Sequence, residues 1–90
     1  MNRASKSEDR NRPVFEKRLG AIRVAVWANT SPGNETWWNI SIVRRYRDGE
    51  EWKEANTFNG LGDLALVKEG VKLAAAWINA QEIQNANSDL

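Results

Sequence analysis

The stretch Trp37–Phe58, WWNISIVRRYRDGEEWKEANTF, decides the fold. Its first half alternates. Trp38, Ile40, Ile42, Arg44 and Tyr46 fall on one face, and Trp37, Asn39, Ser41, Val43, Arg45 and Arg47 on the other. A period of two marks a half-buried strand, because successive side chains leave the backbone on opposite sides. Asp48-Gly49 follows, a pair that supplies the positive backbone angles of a tight hairpin turn. The returning segment, Glu51 to Phe58, carries Trp52, Thr57 and Phe58, all good strand formers. Two registers are open. A three-residue loop ending at Gly49 sets Trp52 and Phe58 beside Tyr46 in the core, whereas a two-residue loop sets them beside Arg45 on the other face. The core is the preferred place for Phe58, and the place of Trp52 stays open.

The non-core face of this strand combines Arg45 and Arg47 with Trp37, Asn39 and Ser41. Guanidinium groups pair with phosphates and rings stack on bases, so such a face suits single-stranded nucleic acid. The plainer alternative is a solvated outer face whose arginines keep the sheet soluble. Upstream, LGAIRVAVWAN (19–29) alternates in the same way, with Ile22, Val24, Val26 and Ala28 against Ala21, Arg23, Ala25 and Trp27. The second set again joins a cation to a ring, and its alanines leave room for a flat base or a partner's side chain. Alternatively, Trp27 simply covers the sheet there. Thr30–Thr36, TSPGNET, reads as a loop around Pro32-Gly33-Asn34. Val14-Phe15 starts a short strand, with Glu16, Lys17 and Arg18 exposed beyond it. Residues 1–12 read as a disordered, mildly basic tail.

Downstream, Asn59-Gly60-Leu61-Gly62 breaks the sheet pattern and matches no phosphate-binding loop. Asp63 reads as a helix N-cap, with a helix from Leu64 to about Ala80. Leu64, Val67, Val71, Ala74 and Ile78 form one stripe, and Leu66, Gly70, Leu73 and Trp77 a second beside it. Two stripes are broad for a single helix on a small sheet. The expectation is that one meets the sheet and the other, Leu66, Gly70, Leu73 and Trp77, meets a second subunit. Gly70 and Ala74 would allow close approach. The alternative is one wide core face. Residues 81–90, polar and Asn-rich, read as a fraying tail.

Ninety residues make a single domain, placed at 13–80, with a limited core that oligomerisation would assist. Cysteine and histidine are both absent. That removes thiol nucleophiles, disulfides, the commonest general base and the commonest metal ligand. Glu50, Glu51 and Glu54 cluster as a solvated charge run, and no calcium-loop spacing occurs. The expectation is a non-enzyme with no catalytic residue, metal or cofactor. Residues 1–47 carry ten Lys/Arg against four Asp/Glu, and residues 48–90 carry three against eight. Such asymmetry suggests a polyanion-facing side, unless the two halves pair with each other in the fold. No apolar run reaches membrane-spanning length and the N-terminus is polar, so a soluble, cytoplasmic protein is expected.

Strands, a DG-type turn, a strand and a C-terminal helix together make a pattern. GAIRVAVW (20–27), ISIVRRYRDGEEWK (40–53) and LALVKEGVKLAAAWI (64–78) carry a resemblance to the single-stranded-DNA-binding domain of the transcriptional coactivator positive cofactor four and its small bacterial relatives. It covers about residues 15–80. The run Arg44, Tyr46, Asp48, Gly49, Glu50 is its most specific part. The segment EANTFNGLGD departs from the family's Lys/Gly-rich one. The resemblance implies a four-stranded antiparallel sheet backed by one helix, dimerisation through the helices and a single strand lying across the sheet.

The reading is therefore α+β: an antiparallel sheet of three to four strands followed by one C-terminal helix, dimerising through that helix. The expected function is binding of single-stranded DNA or RNA, in transcription or DNA maintenance. Arg23, Arg45 and Arg47 would contact phosphates, Trp27 and Trp37 would stack on bases, and Lys53 would assist at the sheet edge. The rival is a dimeric protein-interaction or structural module that binds no nucleic acid.

Overall fold

The computed structural model describes residues 12–88. The expected tail of residues 1–12 lies, but for Arg12, outside them. Four strands form one antiparallel sheet in sequence order: β1 (Phe15–Leu19), β2 (Ile22–Thr30), β3 (Thr36–Asp48) and β4 (Glu51–Ala55). A single helix, α1 (Gly60–Ser88), follows. The fold is the expected α+β arrangement with four strands.

Both outer hairpins turn on a Gly-X pair. Gly20-Ala21 joins Leu19 to Ile22, and Gly49-Glu50 joins Asp48 to Glu51. The glycines have φ of 61° and 65°, a conformation that costs glycine nothing for want of a Cβ. Two sequence expectations change accordingly. The segment 19–29 is not one element, since Leu19 belongs to β1. The second hairpin is centred on Gly49-Glu50 rather than Asp48-Gly49, and Gly49 alone supplies the positive angle. The longer β2–β3 loop is closed by Ser31, whose hydroxyl accepts from the Glu35 amide, and by Asn34 at φ 69°.

The register sorts the sheet into two faces. Ile22, Val24, Val26 and Ala28 of β2 pair with Arg44, Ile42, Ile40 and Trp38 of β3, all on the helix side. Ile22, Val24 and Val26 are fully buried with Ala74, and Phe15, Trp38, Ile42, Phe58, Leu66, Val67, Trp77 and Ile78 pack around them. Three fully buried aliphatic side chains contribute about 1.5–3 kcal/mol each, so this is a small core. Phe58 reaches it from the loop after β4. That strand ends at Ala55, which frees Phe58 from the register that governs Trp52. Arg44 fastens the same loop, its Nε donating to the Thr57 carbonyl at 2.8 Å.

α1 begins earlier and ends later than the sequence suggested. Asp63 lies in its first turn and reaches back to accept from the Asn59 amide at 2.7 Å, while favouring the positive end of the helix dipole. The expected tail at 81–90 is helical as far as Ser88. Ala80, Gln81, Glu82, Gln84 and Ala86 are sound helix formers that outweigh the asparagines. Glu82 also accepts from Trp38 Nε1 at 3.1 Å, which ties this part of the helix to β3.

Both helix stripes meet the sheet: Val67, Ala74 and Ile78 of the first join the core beside Leu66 and Trp77 of the second. A Cβ on Gly70 would stand 2.5 Å from a Val24 methyl, so Gly70 lies against the chain's own sheet. Trp77 packs on Phe15 and meets Trp38 edge-on, with ring centroids 5.7 and 5.6 Å away. Leu66 abuts Gly20, and Leu73 is half-buried. Leu66, Gly70 and Trp77 of the stripe expected at a subunit interface are thus engaged within the chain itself. From the stripe expected on the sheet, Leu64 and Val71 are instead 52% and 44% exposed. A helix about 10 Å across covers roughly two strands spaced ~4.8 Å apart. Here those are β1 and β2, and Ile40 on the helix side of β3 stays 47% exposed. Among the described residues no helix is long and apolar enough to cross a membrane.

Candidate nucleic-acid interface

The sheet face turned away from α1 gathers the sequence's candidate residues. β1 contributes Glu16 and Arg18, and β2 contributes Arg23, Ala25, Trp27 and Asn29. β3 adds Trp37, Asn39, Ser41, Val43, Arg45 and Arg47, and β4 adds Trp52 and Glu54. Period-two alternation in four paired strands is enough to produce this sorting. Arg23, Trp27, Trp37, Arg45 and Arg47 therefore share one face. Lys53 does not. It follows Trp52 directly, so it points to the helix side, where its ammonium pairs with Asp48 at 3.0 Å. It is removed from the candidate set.

Trp52 takes its place. The two-residue turn sets it directly across from Arg47 and diagonally from Arg45. The guanidinium carbons lie 5.3 and 5.0 Å from the indole ring centre. Cation–π stacking of this kind holds two otherwise flexible cations against an exposed ring. Neither Arg45 nor Arg47 has an ion-pair partner among the described residues, so both charges remain available. Asp48 and Glu51 share the helix side with Lys53, while Glu54 lies across from Arg45 on the candidate face.

Arg23 is more constrained. Its Nε donates to Glu16, and Glu54 lies 4.0 Å from its Nη1. That hydrogen bond, with the charges of Arg23 and Arg18, holds the Glu16 carboxyl below its ordinary range. Arg23 thus serves as the bridge between the outer strands, with part of its charge already spent on Glu16. Ala25 is fully buried on this face between Arg23 and Trp27, with Glu16 and Ser41 across from it. The gap that small residues suggested for a base is therefore filled.

The far end of the face is aromatic and amidic. Trp27 is half-buried, its Nε1 3.4 Å from Ser41 Oγ, while Trp37 is 48% exposed and Trp52 58%. Trp37 and Trp52 are therefore the rings most open to stacking. Asn29 sits across from Trp37, and its amide nitrogen is buried without a hydrogen-bond partner. Buried amides are nearly always paired, so this one stands out. Arg18 and Asn29 escaped the sequence reading, whereas Trp52 stands where the shorter of the two open registers sets it, beside Arg45. Placing the turn at Gly49-Glu50 would have decided between those registers, and recognising Gly20-Ala21 as a turn would have found Arg18.

Among the described residues no cluster of carboxylates is placed to hold a metal ion. Compared with known proteins, the chain matches no family model, no curated protein and no solved structure.

Proposed function

We propose that this protein is a single-stranded nucleic-acid-binding module, a binder rather than an enzyme, and that the strand lies on the sheet face opposite α1. The observation that carries this reading is the Arg45–Trp52–Arg47 stack on the same face as Trp37 and Trp27. Guanidinium groups hold phosphates while indoles stack bases, and the combination tolerates any sequence because every base has a π-face. From Trp37 to Arg45 along β3 is about 26 Å, room for roughly four nucleotides. The resemblance to the positive cofactor four domain points the same way. The test is a titration of a short fluorescently labelled oligonucleotide at several salt concentrations. Binding that weakens steeply as salt rises supports the reading, and no binding at low salt overturns it.

The protein works as a homodimer in this reading, through the uncovered flank of α1 and β3. Val71, Ala75 and Ile78 line that flank beside Ile40, forming an apolar groove with Ala74, and Leu64 is exposed seven residues before Val71. A second copy fits it by charge. Lys68 and Glu82 each lie seven residues from Ala75. A two-fold axis at Ala75 would set antiparallel helices with each Lys68 opposite the other's Glu82.

A further inference from the structure

We infer that the notch between the β1–β2 turn and the overhanging β3–β4 hairpin is a pocket for the terminal phosphate of a nucleic-acid strand, held by Arg18 and Arg45 with the adjoining base on Trp52. This rests on the nucleic-acid reading of the face and adds what that reading leaves open: where the strand ends.

The notch follows from the register. β2 pairs with β3 only as far as Ile22 and Arg44, whereas β3 continues to Asp48 and pairs with β4 throughout that extension. The hairpin tip therefore projects beyond the Gly20-Ala21 turn. The Arg45 amide donates to the Ala21 carbonyl at 2.8 Å and pins the turn at the foot of the overhang. The result is a recess of about 350 Å³ lined by Arg18, Gly20, Ala21, Ile22, Arg45 and Trp52. This size lies at the lower end of small-ligand sites and suits a single nucleotide.

The lining is selective by charge. It contains two guanidinium groups and no carboxylate. Glu16 stands 3.7 Å from Arg18 but is held first by Arg23, and Glu54 faces Arg23 as well. A phosphodiester inside a strand carries one negative charge and two free oxygens. A terminal monoester carries nearly two charges and three strong acceptor oxygens, matching two forked donors. Trp52, already stacked on Arg45, forms the wall against which the terminal base can lie. At the other end of the face Trp37 and Asn29 offer a ring and an amide but no cation. The face is thus polar in the directional sense, and only its hairpin end suits a chain terminus.

The experiment compares one labelled oligonucleotide in three forms, with a 5′-phosphate, with a 3′-phosphate and with hydroxyls at both ends, by fluorescence anisotropy. One phosphorylated form should bind about tenfold tighter than the hydroxyl form, as one or two charge-assisted hydrogen bonds would give. Arg18→Ala should erase that preference, weakening the phosphorylated form far more than the hydroxyl-ended one. Equal affinity of all three forms overturns the terminal pocket while leaving the face reading intact. Loss of all three forms equally in Arg18→Ala also overturns it, because Arg18 would then be a general phosphate contact. Failure of the hydroxyl form to bind wild-type protein at low salt removes the face reading itself.

Discussion

Gly70 lies against Val24 so closely that a Cβ on the helix residue would stand 2.5 Å from the valine methyl. This contact sets the distance between α1 and the sheet. Gly70→Val should therefore destabilise the fold. Overpacking of this kind costs about 1–3 kcal/mol, whereas Val recovers only part of the ~1 kcal/mol that Ala would gain over Gly in a helix. A thermal melt checks it, and an unchanged melting temperature would mean the helix stands further from the sheet.

At Gly49 the constraint is backbone alone. Its φ is 65° and no atom lies within 4 Å of a Cβ there. Gly49→Val should cost roughly 1–2 kcal/mol, and Gly49→Asn clearly less, since Asn tolerates the left-handed region. Equal denaturant midpoints for the two variants would show that the turn does not need this angle.

These two glycines show what was legible in the sequence. Alternation along β2 and β3 placed Arg23, Trp27, Trp37, Arg45 and Arg47 on one face, because period two is local and survives tertiary packing. Trp52 and Lys53 were not decidable, because a shift of one residue in the turn exchanges their faces. The helix stripes were found, but periodicity shows only that an arc is apolar and not which neighbour it meets. Gly70 marks where the sheet comes close, which resembles the small-residue signature of a helix pair. The polar composition of residues 81–88 hid a helix anchored from outside by Trp38.

The Glu16 carboxyl gives a pH dependence. Its folded-state pKa lies below its ordinary 4.5, chiefly because Arg23 donates to it. Between the folded and unfolded values the unfolded chain binds more protons, so stability rises with pH there. The contribution is present above about pH 4.5 and is lost as pH falls through the folded value. Glu16→Gln should flatten this part of the acid limb. Chemical denaturation across the acid range reads it out, and identical limbs would contradict the pairing.

The flank of α1 separates assembly from folding. Leu64→Glu with Val71→Glu should leave the chain folded, since both side chains are exposed, and weaken self-association about a hundredfold or more by burying carboxylates at the contact. Trp77→Ala should instead lower stability by roughly 3 kcal/mol, through loss of its contacts with Phe15 and Trp38. Sedimentation and circular dichroism together distinguish the two. A wild-type chain that stays monomeric at high concentration would remove the dimer.

The five tryptophans allow the central claim to be tested in one spectrum. Trp27, Trp37 and Trp52 lie on the face opposite α1, whereas Trp38 and Trp77 meet each other between the sheet and α1. Each indole N–H gives its own proton–nitrogen NMR signal. Titration with a short single-stranded oligonucleotide should shift the signals of Trp37 and Trp52 most and Trp27 less, and leave Trp38 and Trp77 in place. Shifts confined to Trp38 and Trp77, or no shift in any indole at low salt, would contradict a nucleic-acid site on this face.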